Sequence, residues 1–166
     1  MHAINVSDGG VPKLARASVA VRRSGIAGDR QRDLEYHGGP ERAVSLYPLE
    51  LIEALRGEGH PIAPGTIGEN LTLAGLDWAA LRPGVRLEIG EVTVQLTADA
   101  PPCTNIAGSF KGGIFKRVSQ KAYPGWTCAS LPRITVPAAS ITRATGDSVT
   151  GCKCLFRSMP ALYPLR

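Results

Sequence analysis

Val85, Leu87 and Ile89 alternate with polar residues, and Val92, Val94 and Leu96 do the same beyond Gly90-Glu91. Two period-two runs separated by two residues, glycine first, predict a tight β-hairpin with one buried face. This is the clearest local element in the chain, and it commits the fold to an antiparallel sheet. The remainder of the sequence supports that. Nineteen glycines and 13 prolines, with aromatics at only 5%, favour turns and short strands over a helical bundle. The expected fold is mainly β with short helices (α+β). At 166 residues the chain is long enough for one domain with a substantial core.

Other elements read less sharply. Ala3 to Val6 and Ser18 to Val21 predict short strands around a Gly9-Gly10-Val11-Pro12 turn. Ala43 to Leu46 predicts a buried strand. Pro48 to Arg56 predicts a helix, with Pro48 at its first position, Leu49, Ile52 and Leu55 at helical spacing, and Gly57 as its stop. Leu71 to Leu73 is a strand stub, and Asp77 is placed to cap one turn over Trp78 to Leu81. Gly25 to Gly39 is charged and poor in apolar residues, as a solvated loop or a binding loop would be. Asn105 to Gln120 predicts a loop and a helical turn. Beyond it only Ile134 to Val136 and Ser140 to Thr142 predict strands.

Charge and cysteine content narrow the function classes. The net charge of +5 suits a phosphate-bearing small ligand. No basic block or aromatic-interleaved stripe points to nucleic acid. Cys103, Cys128, Cys152 and Cys154 form no CxxC pair and no dense framework, and Cys152-x-Cys154 lacks a partner pair for tetrahedral zinc. Free thiols in a reducing cytoplasm are expected. No apolar run approaches a membrane span, and the N-terminal residues carry no secretory pattern.

Three runs carry polar chemistry. The hairpin's second strand leads to Pro101-Pro102-Cys103, so a thiol sits on a stiff loop just past a core strand. A thiolate is a nucleophile and a soft metal ligand, whereas a buried thiol is inert. A cysteine hydrolase would further need a base and oxyanion donors near that sulfur. His37-Gly38-Gly39-Pro40-Glu41-Arg42 offers a proton-exchanging imidazole, backbone open to close approach, and a permanent cationic fork. By itself it is also an ordinary turn. In Gly65-Thr66-Ile67-Gly68-Glu69-Asn70-Leu71, Gly65 and Gly68 bracket a turn. Glu69 is the better candidate for buried work, while Asn70 is suited to satisfying its own turn.

Read together, Gly28-Asp29-Arg30-Gln31-Arg32-Asp33-Leu34, then His37 to Val44, then Gly68-Glu69-Asn70-Leu71, then Pro102-Cys103 resemble the MOSC family in order and spacing. MOSC denotes the C-terminal domain of molybdenum cofactor sulfurases, and the likeness is to small stand-alone bacterial members. It extends over residues 1 to 126 or so. The resemblance implies a barrel-like β core. It also implies one cysteine that ligates the molybdenum of a pterin cofactor (molybdopterin) or carries sulfur, and Cys103 matches that position. Cys103 and His37 are thus the expected catalytic residues, with Cys103 as the metal ligand. Arg30, His37, Gly38, Gly39, Arg42, Gly68, Glu69 and Asn70 are the expected cofactor-binding set.

By the same resemblance the substrate is a small N-hydroxylated or N-oxygenated compound, with electrons from a separate donor protein. The alternative is a sulfur carrier or cofactor-handling module, with a persulfide on Cys103. Pyridoxal phosphate is not expected. Residues 1–150 read as the MOSC-like domain and 151–166 as a divergent tail. Pro124-Gly125-Trp126 fits the family, but Thr127 onward does not match clearly. A tail that docks on a second subunit would make the protein a homodimer.

Overall fold

The computed structural model describes residues 1–35, 37–118, 127–130, 139–142 and 152–153. Among these, the strands in chain order are β1 (Ala3–Val6), β2 (Leu14–Arg16), β3 (Ser18–Arg22), β4 (Gly25–Ile26), β5 (Val44–Pro48), β6 (Leu71–Leu73), β7 (Arg86–Ile89), β8 (Val92–Asp99), β9 (Thr127–Ser130), β10 (Ala139–Thr142) and β11 (Cys152–Lys153). One α-helix, α1 (Leu49–Gly57), and several short 3-10 turns complete them.

The expected hairpin is present. β7 and β8 pair antiparallel from Ile89–Val92 to Arg86–Gln95, and Gly90 takes φ +62° in the turn. Leu87, Ile89, Val92, Val94 and Leu96 all face the core, as the alternation requires. The hairpin belongs to an eight-stranded sheet ordered β11-β7-β8-β9-β5-β6-β1-β2, and β10-β3-β4 form a second, smaller sheet. Most pairings are antiparallel, but β5 and β6 run parallel, joined through α1. The architecture is therefore mainly strands with few short helices. A barrel-like closure was expected, yet no pairing joins the edge strands β11 and β2 among the described residues. Closure needs continuous hydrogen bonding between the edge strands. Here β2 has three residues, all exposed, and β11 has two.

The main core lies between the sheets and includes Ile4, Val21, Leu46, Leu71, Leu87, Leu96 and Ile141. A second core gathers Tyr47 on β5, Ile52 and Leu55 on α1, and Ile106, Phe110 and Val118 from the chain beyond Cys103. So α1 serves as a bed for the Cys103 segment. Truncating a fully buried leucine such as Leu55 to alanine would cost about 2–5 kcal/mol.

Some local expectations shift. Pro48 is the N-cap of α1 and not its first residue. Gly57 is the last helical residue. The stop comes at Gly59, with φ +87°, where Gly59 N–H donates to Arg56 O (2.9 Å) and His60 N–H to Leu55 O (3.1 Å). That pair of bonds is a Schellman motif. Asp77 sits at the N-cap of the turn Trp78–Ala80, but its side chain makes no capping bond. β2 has no sequence signature, being short and wholly exposed. Cys152–Lys153, read as part of an irregular tail, pairs with Ile89 and Glu88 on β7. The expected strand Ile134 to Val136, the Pro124-Gly125-Trp126 run and residues 154–166 lie outside the described residues.

Candidate functional site

The sulfur is presented by the end of β8. Register with β9 shifts between Leu96 and Ala98, which makes Thr97 a bulge. A bulge bends its strand and re-aims the residues beyond it. Thr97 Oγ1 donates to the carbonyl of Glu41 at 2.7 Å, tying the turn Pro40–Arg42 to this bend. Past Pro101-Pro102, Cys103 is extended (φ −126°, ψ 168°) and stands at the N-cap of the 3-10 turn Thr104–Ser109. Its side chain does not cap that turn. It is half-buried and forms no disulfide.

The chain after Cys103 is pinned to the glycine-bracketed loop and to the end of α1. Ser109 Oγ donates to Thr66 O at 2.8 Å, and the Lys111 amide donates to His60 Nδ1 at 3.1 Å. Neither tie was legible in the sequence, because neither Ser109 nor His60 belongs to a motif.

Glu69 and Asn70 both point inward. Glu69 is fully buried, and its Oε1 accepts from Gly65 N–H (2.6 Å), Thr72 Oγ1 (2.8 Å) and Asn5 Nδ2 (3.4 Å). Among the described residues its Oε2 and Asn5 Oδ1 have no hydrogen-bond partner. Burial pushes the Glu69 carboxyl above the usual carboxylate range, against the opposing pull of the Gly65 amide, Thr72, its own amide and Lys13. Asn70 Oδ1 accepts from the Ser45 amide and hydroxyl, each at 3.1 Å, while its Nδ2 donates to Asn5 O (3.2 Å) and Asp29 Oδ2 (2.8 Å).

Asp29 is the junction of the motifs. Its Oδ1 accepts from Ser7 N–H (2.9 Å), and Oδ2 accepts from Lys13 Nζ (2.6 Å) and Gln31 Nε2 (3.4 Å) as well as from Asn70. Gln31 in turn lies under Gly38: a Cβ there would come within 3.1 Å of Gln31 Oε1. Asn70, Asp29, Gln31 and Gly38 thus form a continuous path from the third motif through the first to the second.

The remaining expected residues face solvent or brace the loops. His37 is exposed, and its amide donates to Asp33 O at 3.0 Å. Gly38 and Gly39 take φ +86° and +75°, so only glycine fits this turn without strain. Arg42 is exposed and its amide closes the turn onto Gly39 O at 3.2 Å. Arg30 is exposed too, with its guanidinium on Asp8 O (2.8 Å) and Asp8 Oδ1 (2.8 Å). At Gly68 a Cβ would come within 3.0 Å of Val11 Cγ1, so that glycine lets two loops approach. The structure therefore joins His37, Gly38, Gly39 and Arg42 in one exposed turn beside the end of β8, and places Glu69 and Asn70 beneath the loops. Among the described residues no three His, Cys, Asp or Glu side chains group to hold a metal ion.

A family model described as the MOSC domain matches residues 33–150. The chain belongs to the MOSC family. The matched span holds the His37–Arg42 turn, Gly68–Asn70 and Cys103, and begins just after Asp29. The chain is 32% identical over 126 residues to the uncharacterized protein YflK of Bacillus subtilis, covering 74% of this chain and 55% of that one. It is 30% identical over 83 residues to Protein YiiM of Escherichia coli, covering 48% and 37%. The chain thus spans about half, or less, of the relatives' length. The crystal structure of Escherichia coli YiiM superposes with TM-score 0.64 at 19% identity, covering 95% of this chain and 70% of YiiM. That of the YUAD protein of Bacillus subtilis gives 0.66 at 15%, covering 85% and 89%. These two likenesses are of fold, and this MOSC chain shares its strand-rich arrangement with both.

Proposed function

We propose that this MOSC chain binds the molybdenum cofactor through the Cys103 sulfur. With electrons from a separate donor protein it would reduce a small N-hydroxylated or N-oxygenated compound. The observation that carries this reading is the setting of Cys103. A free, half-buried thiol heads a turn whose far end is held by Ser109, and the β8 bend that leads to it is tied to an exposed turn of glycines, histidine and arginine. The donor chemistry fits the group: a thiolate is a soft ligand of the kind molybdenum takes.

When bound, the cofactor supplies the two-electron chemistry. An N-hydroxylated substrate takes up two electrons and two protons, losing its oxygen as water. The chain's own residues bind and orient. The Gly38 and Gly39 backbone allows close approach of an anionic group, and Arg42 supplies a fork of donors for its phosphate. Arg30 is held to Asp8 by an ion pair with both side chains largely exposed (70% and 92%), a contact that a phosphate can replace at little cost. On this reading His37 would hand a proton to the leaving oxygen. Gly68, Glu69 and Asn70 act from below, by fixing the loops.

The test is metal content of protein purified from molybdate-fed cells, with and without Cys103→Ser. Near-stoichiometric molybdenum that the substitution removes, with oxidation of a reduced dye by a hydroxylamino substrate, supports the reading. Metal-free protein whose cyanide-releasable sulfur vanishes in Cys103→Ser overturns it in favour of a sulfur carrier.

A further inference from the structure

We propose that His60 is a positioning residue for Cys103, acting through the backbone of the segment that Cys103 begins. This rests on Cys103 being the functional sulfur, but its readout does not require a bound cofactor.

His60 is a buried histidine outside every motif of the sequence. The Schellman motif that ends α1 fixes its backbone, since His60 N–H is the donor to Leu55 O. The imidazole then meets two consecutive residues of the Cys103 segment. Its Nδ1 accepts from the Lys111 amide at 3.1 Å, and its ring stands edge-on to Phe110, with centroids 5.4 Å apart and planes at 61°. An accepting Nδ1 carries no proton, so the ring proton of the neutral form lies on Nε2, which faces Glu58 Oε2 at 3.7 Å. A buried histidine acting only as apolar filler would need neither a defined tautomer nor a backbone donor.

The contact matters because of what it holds. Between Cys103 and Lys111 the chain is irregular, with 3-10 bonds at Ile106 N–H to Cys103 O (3.3 Å) and Phe110 N–H to Ala107 O (3.0 Å). Short 3-10 turns are weak by themselves. Cys103 stands at the open end of this segment, and His60 and Ser109 hold the other. Beyond Lys111 the chain turns at Gly112 (φ +68°) and packs back on the second core through Phe115 and Val118. Losing the His60 acceptor would strand a backbone donor and let the segment loosen as a unit, from Lys111 back to Cys103.

The test compares His60→Phe, which keeps a ring against Phe110 but removes the acceptor, with His60→Asn, whose amide oxygen takes the place of Nδ1. The readouts are amide hydrogen exchange resolved at Ile106, Phe110 and Lys111, and the rate of iodoacetamide alkylation at Cys103 located by mass spectrometry. In His60→Phe, exchange at Ile106 should quicken about tenfold together with Lys111. The Cys103 alkylation rate should change with it, and His60→Asn should restore both. Quickening confined to Lys111, or a Cys103 rate that is the same in all three proteins, overturns the proposal. If His60→Phe does not fold, the native protein in mild urea decides. Ile106 and Lys111 amides that open with one common urea dependence support the proposal, and independent opening overturns it. A protein that proves to hold no molybdenum leaves these readouts intact, so failure of the cofactor reading is distinguishable from failure of this one.

Discussion

The Asn70 side chain donates to Asp29 Oδ2 at 2.8 Å, joining two motifs 41 residues apart in the chain. The same oxygen accepts Lys13 Nζ at 2.6 Å. Asp29 is thus a buried carboxylate, its side chain only 1% exposed, whose charge is balanced by one lysine and whose other donors are neutral. This junction fixes where the Gly28–Leu34 run enters the site region.

Removing only one partner should therefore cost more than removing the pair. Lys13→Met leaves the Asp29 charge buried without its counter-ion, and should lower stability by about 3 kcal/mol. Adding Asp29→Asn removes that charge while keeping one oxygen for either the Asn70 or the Ser7 donor, and should recover part of the loss. Urea unfolding of the two variants checks this. A double variant no more stable than Lys13→Met would show that the ion pair is not the issue.

Two glycines with similar φ should respond differently to alanine. Gly65 (φ +85°) sits with its Cα face against the Lys13 carbonyl, and an added Cβ would collide with that oxygen. The amide of Gly65 also holds Glu69, and its carbonyl accepts from Lys13 N–H at 2.8 Å. Gly39 (φ +75°) has open space around it. Gly39 also carries ψ 177°, outside the left-handed helical region and open essentially to glycine alone, so Gly39→Ala should cost about 1–3 kcal/mol from backbone strain alone. Gly65→Ala should exceed about 3 kcal/mol, because backbone must move as well. Equal losses in thermal unfolding would remove the steric argument.

Legibility in the sequence tracks which forces are local. The hairpin from Val85 to Leu96 and the strand β3 were readable because alternation directly reports a half-buried sheet face. The glycine turns at Gly38-Gly39 and Gly65–Gly68 were readable because positive φ selects glycine. The order of the motifs identified the family. Long-range pairing stayed hidden. Nothing in the sequence joins Lys13 to Asp29, Ser109 to Thr66, or Lys111 to His60. Nor did the residue type of Glu69 say whether it faces a ligand or the interior. The parallel pairing of β5 with β6 was hidden for the same reason, and so was the absence of a β2–β11 pairing among the described residues, since strands of two or three residues carry no readable pattern.

Arg42 separates binding from folding. Its side chain is exposed, and exposed substitutions away from caps and cores usually stay within about 0.5 kcal/mol. On the proposed reading Arg42 supplies donors to the cofactor's phosphate. Arg42→Ala should therefore melt like the native protein but retain markedly less cofactor after gel filtration. A folded variant with unchanged cofactor content would remove Arg42 from the binding set.

Glu69 should make stability fall as pH rises. Burial raises the folded-state pKa of its carboxyl above that of the unfolded chain. Between those two values the folded protein binds more protons than the unfolded one, so unfolding releases protons and is favoured by rising pH. Below the unfolded value both states are protonated and the penalty is absent. Above the folded value the full cost of a buried charge remains. Glu69→Gln removes the charge at every pH. Its amide oxygen can keep the Gly65 and Thr72 bonds, and its nitrogen brings a donor into a cluster where Asn5 Oδ1 has none among the described residues. The variant should therefore be at least as stable as the native protein near neutral pH, with the difference shrinking as pH falls to the ordinary carboxylate range. Urea midpoints measured across that window decide it. A variant weaker by about 1 kcal/mol or more at neutral pH, with no pH dependence of the difference, would show that the carboxylate is held charged by its three donors on Oε1.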